Sequence, residues 1–177
     1  KTVENIRNFI KVSSPKKIIF DYGGPNIGKP LHVGHLRSLN IGRSLYNVNK
    51  LAGNTVLSDI HMGDWGMPIA QIIQYGIENK INFKKITIQE LEEIYPIASD
   101  LYSKNNEFSQ LAQNINKNLN NNQKDLITKW KSIKDTSLRS LKSTLDKLNH
   151  KFDLWRGESD VNNLIPDMIE DLKNKNK

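Results

Sequence analysis

Hydrophobic positions along the chain change their spacing in a way that predicts strands and helices in alternation. An apolar run over residues 17–22 predicts a strand, and apolar positions three and four apart over residues 33–51 predict an amphipathic helix. A second short apolar run, residues 55–60, predicts a second strand. A right-handed crossover of these elements leaves the two strands parallel. The helix is expected to bury six apolar side chains: Leu36, Leu39, Ile41, Leu45, Val48 and Leu51.

The middle of the chain is predicted to be helical. Pro68 is well placed to begin a helix that runs to about Asn79. After a polar loop at residues 118–123, side chains at spacings of three and four predict one long amphipathic helix. Such a stripe is typical of core packing rather than of a ligand site. It consists of Leu126, Trp130, Ile133, Ser137, Leu141, Leu145 and Leu148.

Three shorter elements complete the predicted order. We expect a helix at residues 2–12, a strand at residues 151–158 and a final helix at residues 166–174. Residues 85–150 contain no run typical of a strand. An α/β domain with a parallel sheet, divided by a helical insertion, fits this order.

Composition and charge limit the classes of function. The 177 residues suffice for one sizeable core, and a net charge of +7 suits a partner rich in phosphate, although dispersed lysines are also typical of a solvated surface. The chain has no cysteine, which excludes disulfides and thiolate metal sites. No apolar stretch approaches the roughly 18 residues of a membrane span, so we expect no membrane partner and a cytoplasmic location. Because the chain begins with Lys1 and ends in a lysine-rich run, we expect a piece of a longer protein.

Two histidines lie where the first strand gives way to the helix. His32 and His35 are three residues apart, with Gly34 between them. Such a junction in a parallel sheet binds nucleotides, because the free N–H groups of a helix start favour phosphate. Histidines there can stabilise charge that develops during nucleotidyl transfer, and Gly34 leaves space for a flat base. Zinc binding is a poor alternative without a third ligand, and ordinary capping histidines are the other alternative.

Three polar residues precede the histidines. Asp21, at the end of the first strand, can balance a cationic substrate. The amide of Asn26 can hold an ammonium and a carboxylate together, because it both donates and accepts hydrogen bonds. Lys29 offers a positive charge to a triphosphate. A loop acid, an Asx turn and a solvated lysine are the respective alternatives.

A second polar motif, His-Met-Gly-Asp-Trp-Gly, follows the second strand at residues 61–66. We expect His61 and Asp64 to border the same pocket while Trp65 packs beneath it. A purely structural turn is the alternative.

These motifs together resemble those of arginyl-tRNA synthetases. Residues 21–37, DYGGPNIGKPLHVGHLR, resemble the family's first signature, the class I HIGH motif in the form HVGH. Residues 61–66 resemble its HxGDWG element, and residues 155–159 resemble the Gly-Glu-Ser turn that ends its helical insertion. The resemblance covers residues 15–177 and implies a Rossmann-like parallel sheet with an α-helical insertion.

The resemblance also implies a domain organisation in four parts. Residues 1–16 are an N-terminal helix and linker, and residues 17–84 are the first half of a catalytic domain. Residues 85–150 are the helical insertion, and residues 151–177 are the return strand and helix of a truncated catalytic domain.

The implied activity is ATP-dependent activation of arginine to arginyl-adenylate and transfer to tRNA(Arg). His32 and His35 would stabilise the α-phosphate transition state, while Lys29 would compensate for a missing KMSKS loop and Gly34 would make room for adenine. Mg²⁺ would accompany the ATP, and no protein ligands to a metal are expected.

The arginine-binding set implied by the resemblance has five members. Asn26 would hold the ammonium or carboxylate group and Asp21 would face the guanidinium, with His32, His61 and Asp64 nearby. Two departures from the family pattern are Gly23-Gly24, where relatives often have Ser-Ser, and Pro68, where relatives often have Gln. No KMSKS-like loop or anticodon-binding domain is visible, so we expect an inactive fragment of a monomeric parent enzyme.

Two other functions stay open from the residues alone. A small nucleotidyltransferase of the HxGH superfamily would need a later Ser/Thr-rich phosphate loop with an arginine, and none follows residue 70. A non-catalytic RNA-binding module would leave His32 and His35 unused. Such a module should also interleave aromatic residues with its lysines and arginines, which this chain does not.

Overall fold

The computed structural model describes residues 11–175. Its strands are β1 (Lys17–Asp21), β2 (Thr55–Met62) and β3 (Leu154–Gly157). Its α-helices, over the described range, are α1 (Gly34–Leu51), α2 (Met67–Glu78), α3 (Ile88–Lys104), α4 (Asn106–Asn120), α5 (Lys124–Lys147) and α6 (Ile165–Lys175). Short 3-10 helices occupy Phe83–Lys85 and Glu158–Leu164.

The chain divides into two compact units, each with its own hydrophobic core. Unit 1 consists of Lys1–Pro25, described from residue 11, with Leu31–Met62 and Ser143–Arg156. Unit 2 consists of Asn26–Pro30, Gly63–Lys142 and Gly157–Lys177, described as far as residue 175. The four-part domain organisation expected from the sequence stays a prediction.

Unit 1 contains the sheet, in the strand order β1-β2-β3. β1 and β2 pair in parallel, with Asp21 opposite Asp59, and α1 connects them. This arrangement confirms the predicted strand–helix–strand unit. Side chains alternate between the two faces of a strand. Those on one face of the sheet pack against α1. The buried cluster there consists of Tyr22, Leu39, Ile60 and Leu145.

α1 buries a narrower stripe than its sequence predicts. Of the six apolar side chains expected inside, only Leu39 is buried, and Leu36 is half-buried. Gly42 and Tyr46 complete the buried side of the helix. The other four are about half exposed: Ile41 55%, Leu45 49%, Val48 57% and Leu51 48%. The expectation was wrong for these four because no described element covers the face of α1 that carries them.

Unit 2 is a helical body built from α2, α3, α4 and the part of α5 before residue 143. α3 begins with a capping box, in which Thr87 and Glu90 exchange side-chain-to-backbone hydrogen bonds of 3.2 and 2.8 Å. The predicted stripe of α5 is confirmed at Leu126 and Ile133, which are buried in the core. Other core members are Ile27, Ile69, Ile72, Ile73, Leu91, Ile94, Phe108, Ala112, Ile115 and Leu119.

Some elements differ from the predictions. β2 extends to Met62, so His61 lies within the strand rather than after it. The 3-10 helix Glu158–Leu164 was not predicted. The helix expected at residues 2–12 lies almost entirely outside the described residues. Within residues 11–175, no helix is both long enough and apolar enough to cross a membrane.

Candidate functional site

His32 and His35 form a compact turn in unit 1, at the start of α1. The His35 N–H donates to the carbonyl oxygen of His32 at 3.0 Å, and the two ring centroids lie 4.1 Å apart. The Gly34 N–H donates to Nδ1 of His32 at 3.1 Å. Because Nδ1 accepts this hydrogen bond, a neutral His32 carries its proton on Nε2. The exposed ring of His32 therefore has an N–H donor on the side away from the turn.

The ring of His35 is also held by the backbone of this turn. Its Nδ1 lies 3.3 Å from both the N–H and the carbonyl oxygen of His32. The His32 N–H donates to Nδ1 in one tautomer, and Nδ1–H donates to the His32 carbonyl in the other. Either tautomer keeps a hydrogen bond, so the orientation of the ring does not depend on the position of its proton.

A cavity of about 250 Å³ adjoins the turn within unit 1. Both histidines line it, together with aliphatic side chains and one hydroxyl: Leu31, Val33, Leu36, Leu39, Thr144 and Leu148. A mainly apolar lining with a few polar groups is typical of pockets for small molecules.

Gly34 has a structural function that the sequence did not indicate. A Cβ atom at this position would lie 2.9 Å from Cε1 and 3.0 Å from Nδ1 of His32. The missing side chain therefore lets the His32 ring fold back over the turn. The expected role of Gly34 toward a nucleotide base stays a prediction.

Asp21 and His61 lie on the same outer face of the sheet in unit 1. Asp21 is exposed and faces Asp59 across the parallel register, and His61 lies two residues beyond Asp59 on the same face. Nδ1 of His61 is 3.8 Å from Oδ2 of Asp59. The Asp59 side chain is 13% exposed, and its Oδ1 is buried without a hydrogen-bond partner. The structure therefore groups Asp21 and His61 around a carboxylate that the sequence did not single out.

Asn26 belongs to unit 2, where it is joined to the second motif through Gly63. The two residues form a parallel bridge, and the Ile27 N–H donates to the Gly63 carbonyl at 3.0 Å. A Cβ atom on Gly63 would lie only 2.1 Å from Oδ1 of Asn26. A glycine is therefore required at position 63 if the Asn26 amide is to keep its place.

A cavity of about 250 Å³ in unit 2 brings Asn26 together with Glu158. Its other lining residues are Ile27, Gly63, Trp65, Pro68 and Ile69. An amide and a carboxylate in one small pocket suit an amino acid with positively charged groups. The sequence missed Glu158 as a site residue, although the Gly-Glu-Ser turn that contains it was the signal for it.

Asp64 does not lie where the sequence placed it. It was expected to border the pocket with Trp65 beneath, but Asp64 is fully buried and Trp65 lines the cavity. Its carboxylate accepts hydrogen bonds from the Ser159 N–H at 2.8 Å and hydroxyl at 2.7 Å, and it pairs with Nζ of Lys134 at 2.5 Å. These contacts occupy both carboxylate oxygens, so Asp64 positions the Gly-Glu-Ser turn instead of contacting a ligand.

The backbone of Gly157 completes this arrangement. A Cβ atom there would lie 2.5 Å from Oδ2 of Asp64. The Trp130 indole N–H donates to the Asp64 carbonyl at 2.7 Å, which fixes the same residue from α5. Gly63 and Gly157 thus each leave room for a polar side chain of another motif.

Lys29 also belongs to unit 2. Its Nζ lies 4.9 Å from the ring centroid of Tyr95 in α3, within the range of a cation–π contact. The neighbouring Gly28 N–H donates to the buried Ser137 hydroxyl at 2.9 Å, which attaches this loop to α5. No group of three or more histidine, aspartate or glutamate side chains within the described residues is arranged to hold a metal ion.

Comparison with known families gives one match over nearly the whole chain. The model of the class I (R) tRNA synthetase catalytic domain matches residues 2–177. Among individual proteins, the arginine–tRNA ligases of Agathobacter rectalis and Alkaliphilus oremlandii are 38% and 36% identical to this chain. Each alignment covers 93% of the chain and 30% of the relative.

Solved structures agree with this match. Arginyl-tRNA synthetase from Plasmodium falciparum is 27% identical with a TM-score of 0.74, over 94% of this chain and 29% of that protein. The chain therefore spans about three-tenths of the length of the relatives that it matches.

Proposed function

Because the chain belongs to the family of class I (R) tRNA synthetase catalytic domains, we propose that it is the part of an arginine–tRNA ligase that begins the activation of arginine. The family match gives no support to a small nucleotidyltransferase or to a non-catalytic RNA-binding module. The observation that carries the proposal is the HVGH turn, in which backbone contacts orient both imidazoles beside a cavity.

The first step joins arginine to ATP. The arginine carboxylate attacks the α-phosphorus, pyrophosphate leaves, and arginyl-adenylate forms. Negative charge increases on the α-phosphate oxygens in the transition state, and donors already oriented toward that charge lower the barrier. Nε2–H of His32 is such a donor because Nδ1 is occupied by the Gly34 N–H. We assign His35 and Lys29 to the phosphate groups as well, because an imidazole N–H and a lysine ammonium both interact favourably with negatively charged phosphate oxygens.

Arginine is proposed to bind where carboxylates and an amide are available. In unit 2, the cavity with Asn26 and Glu158 offers an acceptor for a cationic group and an amide for the carboxylate. In unit 1, Asp21 is an exposed carboxylate at the end of β1, with His61 on the same face of the sheet. Asp64 is not included, because its carboxylate is fully engaged inside unit 2.

Mg²⁺ is proposed to accompany ATP through the phosphate oxygens. Magnesium commonly keeps several waters and binds substrate phosphates with one or two carboxylates, so a dedicated cluster of protein ligands is not required. Bound there, the ion would neutralise phosphate charge.

The second step transfers the arginyl group to tRNA(Arg). The hydroxyl of the 3′-terminal ribose attacks the carbonyl carbon of the adenylate and AMP leaves. We propose that this step takes place in a longer, monomeric enzyme of the cytoplasm, where ATP and tRNA are available.

Pyrophosphate exchange tests the proposal. The full-length protein should exchange labelled pyrophosphate into ATP with arginine and tRNA present, whereas the 177-residue chain alone should not. The same assay with each of the twenty amino acids measures specificity. Exchange supported by lysine or cysteine in place of arginine would overturn the assignment.

A further inference from the structure

The wall of the candidate arginine pocket, the cavity of unit 2 that contains Asn26 and Glu158, comes from three separate stretches of chain. The first is the loop 26–30. The second is the turn after β2 with the first residues of α2, residues 63–69, and the third is the turn 157–159 after β3. The pocket therefore keeps its shape only if these stretches are held in place relative to one another.

One face of α5 contacts all three stretches. Trp130, Lys134 and Ser137 follow one another at spacings of four and three residues, so they lie on the same side of the helix. We propose that these three side chains are positioning residues for arginine activation, which align the three stretches of the pocket wall. The inference rests on the proposed function, because it assigns arginine to this pocket.

Lys134 joins the turn after β2 to the turn after β3. Its Nζ lies 2.5 Å from Oδ2 of Asp64 and donates to the Ser159 hydroxyl at 3.0 Å. The same hydroxyl donates to Oδ2 of Asp64 at 2.7 Å, so the three groups form a closed ring of contacts. Asp64 is fully buried and the Lys134 side chain is 17% exposed, and such shielding from water strengthens polar contacts. The place of Glu158, next to Ser159, thus depends on an ammonium that does not line the pocket.

Trp130 fixes the turn after β2 from the same helix. Its indole N–H donates to the Asp64 carbonyl at 2.7 Å, and its ring meets Trp65, a residue of the pocket wall, edge-to-face at 5.1 Å between centroids. Nζ of Lys134 lies 5.1 Å from the centroid of the Trp130 ring, within the range of a cation–π contact. The two side chains of α5 therefore support each other as well as the turn.

Ser137 holds the loop 26–30. Its hydroxyl accepts a hydrogen bond from the Gly28 N–H at 2.9 Å and donates one to the Ile133 carbonyl at 2.8 Å. Gly28 and Ser137 are both buried, so without this hydroxyl the Gly28 N–H would have no partner inside the protein. Gly28 lies between Asn26, which we assign to arginine, and Lys29, which we assign to phosphate. A serine in the apolar stripe of α5 therefore has a reason that packing alone does not give.

Pyrophosphate exchange by the full-length enzyme, at varied arginine concentrations and with tRNA present, tests the role of Lys134. Lys134→Met removes the ammonium but keeps a long side chain, so it should raise the KM for arginine about tenfold or more and leave kcat nearly unchanged. Lys134→Arg keeps the positive charge and should restore most of the affinity. Lys131→Met, which removes an exposed lysine from the same helix, is the control and should have the wild-type KM.

A merely structural role of Lys134 would give a different result. Loss of folded enzyme lowers the maximal rate without changing the KM, because the folded fraction still binds arginine normally. If Lys134 acts through Glu158, adding Lys134→Met to Glu158→Gln should raise the KM for arginine no further. An unchanged KM in Lys134→Met, or KM increases that multiply in the double variant, would overturn the inference.

Ser137→Ala tests the third contact. It should raise the KM values for both arginine and ATP, each about threefold or more, because the displaced loop carries Asn26 and Lys29. Ser132→Ala is the matched control on the same helix, since its hydroxyl donates only to the Thr128 carbonyl of its own helix, and both KM values should stay the same. If Lys134→Met does not fold, Ser137→Ala, which removes a single oxygen atom, decides the question. Unchanged KM values in that variant would then overturn the inference.

The same assays separate this inference from the proposed function. A wild-type enzyme without arginine-dependent exchange refutes the proposed function, and this inference with it. An active wild-type enzyme whose KM values are unaffected by the substitutions in α5 refutes this inference alone.

Discussion

Ser159 donates two hydrogen bonds to the carboxylate of Asp64, from its N–H to Oδ1 at 2.8 Å and from its hydroxyl to Oδ2 at 2.7 Å. The two residues are 95 positions apart in the chain. Asp64 follows β2 and Ser159 follows β3, so this contact links the Gly-Asp-Trp-Gly turn to the Gly-Glu-Ser turn. Glu158, which lines the candidate arginine pocket, is held in place by its neighbour's contact with a buried carboxylate.

Asp64→Ala should lower the free energy of unfolding by about 3–5 kcal/mol, because it leaves the half-buried Lys134 ammonium without its partner. Urea denaturation followed by circular dichroism measures this change. Asp171→Ala is the matched control, since the Asp171–Lys175 pair is exposed and should change stability by less than about 1 kcal/mol. Equal stability of the two variants would show that the buried pair has no structural importance.

Gly63→Ala should destabilise the protein and weaken arginine binding, because the new methyl group would overlap with Oδ1 of Asn26. Asn26→Ala removes the overlapping amide, so Gly63→Ala should have a smaller effect on stability in that background. A double-mutant cycle of unfolding free energies measures the difference, which we expect to be at least about 0.5 kcal/mol. Additive effects of the two substitutions would contradict the contact.

His32→Ala or His35→Ala in the full-length enzyme should raise the barrier to arginine activation by about 2–4 kcal/mol, the range for loss of one oriented donor. Presteady-state formation of arginyl-adenylate measures the rate of this step. Val48→Ala, at a position of α1 that is 57% exposed and outside the cavity lining, is the control and should leave the rate nearly unchanged. Full activity after replacement of both histidines would remove their catalytic assignment.

Glu158→Gln keeps the size of the side chain but removes its charge, so the KM for arginine should rise at least tenfold in the full-length enzyme. Steady-state arginylation at varied arginine concentrations tests this expectation. Glu170→Gln, at an exposed position of α6, provides the control for loss of one negative charge. If both variants have the same KM, Glu158 does not bind arginine.

The stability of the protein should fall as the pH is lowered from about 7 to 5. His150 is 6% exposed; burial lowers the pKa of its imidazole, and the Arg43 guanidinium lowers it further. The unfolded chain has the ordinary histidine pKa of about 6.5, so below that pH it binds more protons than the folded protein. The free energy of unfolding therefore rises with pH between the lowered pKa and about 6.5.

Urea denaturation at a series of pH values measures this dependence, and His150→Gln should flatten it. His61→Gln is the control because its side chain is 38% exposed. Asp153 does not contribute within this window: burial raises the pKa of its carboxyl, but hydrogen bonds from the Ser58 N–H and hydroxyl outweigh that effect and lower it below its usual range. An unchanged pH dependence in His150→Gln would assign the effect to another group.

The histidine turn and the strands beside it could be predicted from the sequence because they depend on local order. The alternation of apolar runs and helical spacing placed β1, α1 and β2 within one or two residues. The HVGH motif then followed directly between strand and helix. The buried stripe of α5 could also be predicted at Leu126 and Ile133, because side chains three or four residues apart lie on the same face of a helix.

Burial could not be predicted where it depends on what covers a surface. The spacing of Ile41, Leu45 and Val48 marks an apolar row on α1, but periodicity does not say whether another element packs on that row. Asp64 shows the opposite case, a carboxylate that the sequence placed in a pocket and the fold buried against Lys134 and Ser159. Its partners lie 70 and 95 positions further along the chain, beyond the reach of any local pattern.

The sequence by itself determined the family, the order of strands and helices and the motif residues at their junctions, because these are encoded in short stretches of chain. Only the tertiary structure decided which motif residues face a cavity and which hold the motifs together. Gly63, beneath Asn26, and Gly157, beside Asp64, hold the motifs together. Glu158 faces a cavity. The physical reason is close packing: the space around a side chain is set by residues distant in sequence, so its role follows from the folded neighbours and not from its motif alone.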